Sequence, residues 1–152
     1  MSHREVIPGM IIAAALVGAS AVGAVDTIRP GYWSTTNTVT TPIHQTKTEN
    51  RCITPNAIAK FTGCYINHHY KCTCPEQSDT AGRIVFHGDC VDAKGRHVLV
   101  DGDGTYTATT LQMTATGRAS LIRGFSIPFS TRTDSHWLAD TCPAGAPGSD
   151  GR

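Results

Sequence analysis

The six cysteines are the strongest constraint on the fold of this chain, because all of them lie between Cys52 and Cys142. The residues before Cys52 contain none and carry instead an apolar run, MIIAAALVGASAVGAV, from Met10 to Val25. An apolar leader followed by an even number of cysteines is typical of proteins exported to an oxidising compartment, in which thiols pair. The sequence therefore predicts an exported domain that is held together by three disulfide bonds.

The N-terminal apolar run has the features of a signal peptide. It spans about 16 residues, fewer than the roughly 20 that a transmembrane helix needs. Small residues close it, at Ala19-Ser20-Ala21 and at Val22-Gly23-Ala24, and both stretches suit a signal peptidase. We expect residues 1–24 to be removed by cleavage after Ala24, and the mature protein to be periplasmic or secreted. The alternative is an uncleaved anchor, which would be the protein's contact with the membrane.

The charged residues are nearly balanced, with 13 Lys and Arg against 12 Asp and Glu and a formal net charge of +1. A near-neutral body has no electrostatic attraction to nucleic acid or to acidic lipid, so neither is expected as a partner. The length permits one domain, which we place at residues 25–142 as a single β domain. Residues 143–152 consist mainly of Gly, Pro, Ala and Ser and are predicted to be a disordered tail.

The first part of the body predicts one strand and one short helix. Thr and Val dominate Tyr32–Thr41, which favours a strand. The next segment, Pro42–Arg51, is polar and has no hydrophobic period, so it is interpreted as a loop. Thr54–Phe61 is the helix candidate, because a Thr suits the N-cap position, Pro55 the first helical position and Gly63 the end.

From Cys64 onward the pattern indicates strands joined by short turns. Apolar and polar residues alternate in Arg83–Val91, and a period of two recurs downstream. Parallel strands need long crossovers, so short turns imply antiparallel pairing. We expect a mainly β fold, namely a curved antiparallel sheet, a small barrel or a sandwich, with one short helix. The further segments are strands at His97–Val100, Thr105–Ala115, Phe125–Ser130 and Trp137–Cys142, and turns at Thr80–Gly82, Asp101–Gly104 and Gly117–Arg118.

Apolar residues near both ends of the body are expected to share one core. Trp33 lies in the first predicted strand, and Phe125, Ile127 and Phe129 alternate with polar residues in a late one. Pro128 has no N–H to donate to a ladder, so the late strand is expected at a sheet edge or at a bulge.

The cysteine pairing depends on the register of one predicted hairpin. A turn centred on residue 81 sets Cys90 opposite Cys72, and a turn centred on residue 82 sets it opposite Cys74. Either cysteine can therefore bond to Cys90, and Cys64 takes the other. We predict Cys74–Cys90 and Cys64–Cys72, with the exchange of Cys72 and Cys74 as the alternative, and Cys52–Cys142 as the remaining pair.

A metal site is the rival interpretation of the same residues. Cys72, Cys74 and Cys90, together with His68, His69 and His87, contain enough ligands for zinc or copper. A lone C-x-C is a weak motif, however, and thiols of exported proteins usually oxidise. We therefore expect disulfides, no bound metal and no other cofactor.

Two further motifs fail on their spacing. Asp101-Gly102-Asp103-Gly104 resembles the start of a calcium loop. The later positions do not fit, because the loop needs Asp or Asn at position 105, Gly at 106 and Glu at 112, and the chain has Thr105, Tyr106 and Gln112. Ser135-His136 with Asp134 or Asp140 offers the residue types of a triad, without the G-x-S-x-G turn that would present a nucleophile. No catalytic residue is predicted, and the sequence favours a protein that is not an enzyme. The residues that would best line a binding cleft are Trp33, Tyr65, His68 and Tyr70.

Several short motifs, in order, resemble those of the bacterial domain of unknown function family 3617. Pro30-Gly31-Tyr32-Trp33 is similar to its Pro-Gly-aromatic-Trp opening, and Cys52-Ile53-Thr54-Pro55 to its helix start. Cys74 and Cys90 match its central cysteine pair, Tyr106 falls in its Gly-x-x-Tyr strand, and Ala139–Cys142 resembles its closing Gly-Asp-Cys. Cys64 and Cys72 are additional. The resemblance implies a small exported protein and supplies no activity.

Two functional hypotheses remain. The first is a non-enzymatic periplasmic β domain that binds a small ligand or a protein partner in the envelope, since small β-barrels often hold ligands. The second is a metal-dependent or hydrolytic enzyme built on the His, Cys and Asp residues. A large pocket lined by Tyr, Phe and Trp would favour the first hypothesis, and free thiols would favour the second.

Overall fold

A computed structural model describes residues 27–64, 70–122 and 124–148. The predicted signal peptide and its cleavage site, as well as Tyr65 and His68, lie outside these residues. The described chain contains seven strands, a 3₁₀ turn and one short helix. In chain order these are β1 (Gly31–Thr41), β2 (Gln45–Ile53), the 3₁₀ turn Pro55–Ala57, α1 (Ile58–Thr62), β3 (Tyr70–Thr80), β4 (Arg83–Asp92), β5 (His97–Tyr106), β6 (Thr110–Ile122) and β7 (Phe125–Ala139).

The strands form one antiparallel sheet in the order β2-β1-β7-β6-β5-β4-β3. From β3 to β7 each strand pairs with the next, and β1 then adds to the far side of β7. The predicted fold class is confirmed, namely a mainly β protein with an antiparallel sheet, one short helix and three cysteine pairs. Within the described residues, no helix has the length and apolar character that crossing a membrane requires.

The hydrophobic core lies on one face of the sheet, because buried and exposed residues alternate along β4 and β5. Trp33 of β1 belongs to the same buried cluster as Ile84 of β4 and Val100 of β5. Because β1 neighbours neither β4 nor β5, the sheet curves around this core. Ile58 and Phe61 of α1 pack against the cluster from the uncovered side. The other sheet face is exposed and mostly polar, and it also carries Val85 and Leu99. We call the two faces the core face and the polar face.

Three segments predicted as loop or turn are strands instead. Pro42–Arg51 contains most of β2, which ends the sheet and is exposed over most of its length, so it shows no hydrophobic period. Asp101–Gly104 lies inside β5, and its glycines face the core, where the ring of Phe86 occupies the space of a Gly102 side chain. Gly117 lies inside β6, with the ring of Phe129 against it.

The late strand agrees with its prediction in part. β7 lies between β1 and β6, but its ladder with β1 ends at Ser130, so Pro128 lies at a local edge of the sheet. Its missing N–H is tolerated because β1 ends opposite Ser130 and does not reach Pro128. Phe129 packs against the core, as predicted, but Phe125 is 58% exposed at the start of the strand and does not join it.

The end of the described chain is held against the sheet. Cys52 donates its backbone N–H to the carbonyl of Pro147 at 2.8 Å, and Cys52 and Gly148 form an isolated parallel bridge. The segment predicted as a tail from residue 143 onward is therefore bonded to β2 at Pro147 and Gly148.

Candidate functional site: a depression on the polar face

A depression of about 720 Å³ lies on the polar face of β3 to β6. This volume is within the range of small-molecule sites. Two rows of side chains cross the four strands and line it. The first row is Glu76, His87, Asp101 and Thr116, and the second is Ser78, Val85, Asp103 and Thr114.

The rows follow directly from strand register. His87 pairs with Asp101 in the β4–β5 ladder, and neighbouring strands carry Glu76 and Thr116 directly beside them. Because side chains alternate between faces, the residues between the rows direct their side chains to the core face. Phe86 and Gly102 are such residues, and they contribute the floor of the depression.

The lining is rich in negative charge. Its three carboxylates, Glu76, Asp101 and Asp103, face one histidine, so the formal charge is −3 with neutral His87 and −3 + 1 = −2 with charged His87. Arg83 lies at the edge of the depression and forms a salt bridge with Asp103, with 2.6 Å between nitrogen and oxygen. Even with this arginine counted, a cation gains more than an anion from entering.

His87 is the titratable group of the site with a perturbed pKa. Its Nδ1 is hydrogen-bonded to a carboxylate oxygen of Asp101. That bond raises the pKa of His87 above 6.5, and the charges of Asp101 and Glu76 add to the effect. The histidine can therefore change the net charge of the depression near neutral pH.

The depression differs from the cleft that sequence analysis favoured. Trp33 is fully buried and its indole N–H donates to the carbonyl of Arg29, so it is a core residue with no surface to offer a ligand. Tyr70 is half-buried and packs against the core. The site is lined by carboxyl and hydroxyl groups together with Val85 and Phe86, and none of its described lining residues is Tyr or Trp. The strand alternation in Arg83–Val91 was the signal that could have found it, because it places His87 on the polar face.

The two motifs rejected from the sequence have structural roles. Ser135 is buried in β7 and its hydroxyl donates to Thr35 at 3.0 Å, while Arg132 binds the neighbouring Asp134. Asp101 and Asp103 lie on one strand with partners in His87 and Arg83, and they do not form a loop around an ion.

The cysteine pairs are Cys52–Cys142, Cys72–Cys90 and Cys64–Cys74. The first confirms the prediction, and the other two are the exchanged alternative, so the predicted pairs Cys74–Cys90 and Cys64–Cys72 are wrong. The cause is a register shift between Thr73 and Glu76. Near the turn, where Thr80 pairs with Arg83, the hairpin centre lies between residues 81 and 82. The shift at Pro75 moves the centre to residue 81, which sets Cys72 opposite Cys90. No described cysteine is free.

The three sulfurs of Cys64, Cys72 and Cys90 lie within 4.8 Å of one another. His87 is on the polar face with Asp101 and does not belong to this group, and His68 and His69 lie outside the described residues. Of the predicted metal ligands, the structure thus brings together only cysteines.

A seven-stranded antiparallel sheet, braced by disulfides and carrying an acidic depression, defines a small β domain with one candidate binding site. The family model described as "Protein of unknown function (DUF3617)" matches residues 28–142, and the chain belongs to this family, which confirms the resemblance seen in the sequence. No curated protein and no solved structure matches the chain.

Proposed function

We propose that this protein is an exported, non-enzymatic domain that binds a small hydrophilic ligand carrying an amine or another cationic group. The observation that carries the proposal is the pair of side-chain rows across β3–β6. They combine a cavity of about 720 Å³ with carboxylates for a cation and hydroxyls for further hydrogen bonds.

Charge supports a cation over an anion. The carboxylates of Asp101 and Asp103 lie on the same face of β5, two residues apart. Glu76 flanks His87 on one side, and Asp101 flanks it on the other. An anion entering this depression would meet like charge, which costs binding energy even at the surface. The apolar part of the lining comes from Val85 and from the floor at Phe86 and Gly102, between the two polar rows.

Export is the second component of the proposal. Three disulfides require an oxidising compartment in most organisms, and the apolar N-terminal run with its small-residue ending supplies a route to one. We place the mature protein in the periplasm, where its ligand would be a soluble cation or the cationic end of an envelope component.

The binding proposal is tested with putrescine as the cationic probe and succinate as its anionic counterpart. In two-dimensional NMR of the labelled protein, putrescine is expected to shift the amide signals of His87, Asp101 and Thr114, and succinate to leave them unchanged. Asp101→Asn and Asp103→Asn should each weaken putrescine binding. Asp140→Asn is the matched control, because Asp140 is an exposed carboxylate that pairs with Arg29 elsewhere.

Equal shifts with succinate, or putrescine shifts that survive both substitutions, would contradict the proposed site. Turnover of ester, peptide or phosphate substrates that is lost on His87→Ala would replace the proposal by the enzymatic alternative.

A further inference from the structure

Four cysteine sulfurs converge at one end of the β3–β4 hairpin. Those of Cys64, Cys72 and Cys90 lie within 4.8 Å of one another, and Cys74 is bonded to Cys64. A Cβ on Gly88 would lie 2.7 Å from the sulfur of Cys64 and 2.8 Å from that of Cys74, so only a glycine leaves room for both. We call these four residues the four-cysteine cluster.

Regular structure holds the cluster in place. Cys72 and Cys90 are directly opposite each other in the β3–β4 ladder. The register shift next to Pro75 lets Cys74 turn toward Cys64, which follows the end of α1. The positions of the sulfurs are therefore set by strand pairing and by the helix, and not by the disulfide bonds alone.

We propose that the four-cysteine cluster is a redox-controlled zinc site, closed as two disulfides when oxidised and able to bind Zn²⁺ through four thiolates when reduced. An external dithiol supplies the electrons. For each protein disulfide it gives two electrons and two protons, the S–S bond breaks to two thiols, and the dithiol becomes a disulfide. Zn²⁺ then displaces the thiol protons to solvent as four Zn–S bonds form.

The geometry of the cluster suits zinc. Tetrahedral Zn–S bonds of about 2.3 Å place the sulfurs about 3.8 Å apart. To reach that spacing, the sulfur of Cys64 must approach those of Cys72 and Cys90 by no more than about 1 Å. The sulfurs of Cys72 and Cys90, bonded at 2.07 Å, must separate by about 1.7 Å once their disulfide is reduced. Thiolates are soft ligands, and a site with sulfur ligands alone selects zinc over magnesium or calcium.

Burial gives the site a protected interior and a route of entry. Cys64 and Cys90 are 7% and 0% exposed, whereas Cys72 and Cys74 are half-buried. A dithiol can therefore attack from the side of Cys72 and Cys74, while the apolar core, including Val98 and Val100, shields the opposite side from water. The pair Cys52–Cys142 lies outside the cluster.

The proposal is independent of the cation-binding function of the polar face, because the cluster shares no residue with the depression. It also agrees with the expectation that the exported, oxidised protein holds no tightly bound zinc. The zinc form belongs to the chain before its thiols are oxidised, or to a chain that a dithiol has reduced.

Zinc analysis of the full chain in both redox states tests the proposal. Oxidised protein, and protein reduced anaerobically with dithiothreitol and then desalted, are each equilibrated with Zn²⁺ and passed through a gel-filtration column. We expect about one Zn²⁺ per chain in the reduced protein and none in the oxidised protein. Cobalt added in place of zinc should produce thiolate-to-cobalt charge-transfer absorption and the strong visible d–d absorption of tetrahedral sulfur coordination.

Two matched variants locate the site. Cys72→Ser/Cys90→Ser should lose the bound zinc, and Cys52→Ser/Cys142→Ser, which removes the pair outside the cluster, should keep it. The proposal is overturned if reduced wild type retains no zinc, if its cobalt form lacks thiolate bands, if oxidised protein binds zinc equally, or if the Cys72/Cys90 variant retains the wild-type amount. Should that variant not fold, the cobalt spectrum of the reduced wild type decides by itself.

Discussion

Trp33 shows how one residue joins three parts of the molecule. It is fully buried in β1, its indole N–H donates to the carbonyl of Arg29 at 2.9 Å, and its ring meets Phe61 of α1 edge-on with centroids 5.4 Å apart. Its loss would leave a cavity where the segment before β1, the sheet and the helix meet, together with an unpaired carbonyl.

Trp33→Ala is expected to lower the free energy of unfolding by about 3–5 kcal/mol, the usual cost of removing a fully buried tryptophan. Urea unfolding followed by circular dichroism measures it. Trp137→Ala is the control, because Trp137 is only half-buried, stacks on the guanidinium of Arg29 and should cost less. Equal costs for the two variants would contradict the assignment of Trp33 as the central core residue.

His87 gives the protein a pH dependence with a definite sign. The hydrogen bond to Asp101 raises the pKa of His87 above 6.5, so the folded state binds this proton more tightly than the unfolded state. The resulting stabilisation is complete below pH 6.5 and is lost as the pH rises through the raised pKa. Loss of the proton also removes a positive charge from the depression, so cation binding should strengthen over the same interval.

An NMR titration of the His87 ring checks this prediction. Asp101→Asn should return the pKa of His87 toward 6.5, because it removes the main cause of the shift. Asp103→Asn is the matched control, since Asp103 binds Arg83 and should leave His87 raised. If Asp101→Asn leaves the titration of His87 unchanged, the hydrogen bond is not what holds the proton.

Among the elements, β5 shows that glycines can lie inside a strand and not only at a turn. Gly102 and Gly104 alternate with Asp101 and Asp103, so the glycines share the core face and the aspartates share the polar face. A Cβ on Gly102 would lie only 2.2 Å from the ring of Phe86. The strand thus needs glycine for the approach of a ring, and its aspartates become lining residues of the depression.

Gly102→Ala should therefore destabilise the protein by about 1–3 kcal/mol, the typical cost of overpacking a core. Phe86→Leu tests the cause, since a smaller side chain leaves room for the added methyl group. In thermal or urea unfolding, the double variant is expected to lose less stability than the sum of the two single variants. Strict additivity would show that the alanine is not in conflict with Phe86.

The elements also differ in how far their sequences could predict them. β1, α1 and β4 carry clear signals, namely Thr- and Val-rich sequence, a Pro at the first turn and strict alternation. β2 carries none, because an exposed end strand has no core face to impose a period on its sequence. Its existence depends on pairing with β1, which is a tertiary effect.

The candidate site could not be predicted from the sequence, because it also depends on strand pairing. Glu76, His87 and Asp101 are distant in sequence and become neighbours only through the register of two hairpins. That register contains a shift at Pro75, and a shift of one residue exchanges the partners of every downstream side chain. The same shift decides which of Cys72 and Cys74 reaches Cys90, so one local irregularity limited both predictions.

For the whole molecule, the disulfides differ in what they connect. Cys64–Cys74 and Cys72–Cys90 close loops within one half of the sheet, with sequence separations of 10 and 18. Cys52–Cys142 has a separation of 90 and joins the end of β2 to the segment after β7. β1 lies between β2 and β7 in the sheet. The bond therefore links the two strands that flank β1, one from the N-terminal part of the chain and one from the C-terminal part.

The three bonds should therefore rank by loop length in their effect on stability. The chain-entropy model gives losses of about 4.6 kcal/mol for Cys52–Cys142, about 3.2 for Cys72–Cys90 and about 2.7 for Cys64–Cys74. Replacing each pair by alanines and measuring urea unfolding tests the order, and the two short loops serve as controls for the long one. If removal of Cys52–Cys142 costs no more than removal of Cys64–Cys74, the long loop is already ordered in the unfolded chain, and strand pairing of β1 with β2 and β7 is what holds the two ends of the domain together.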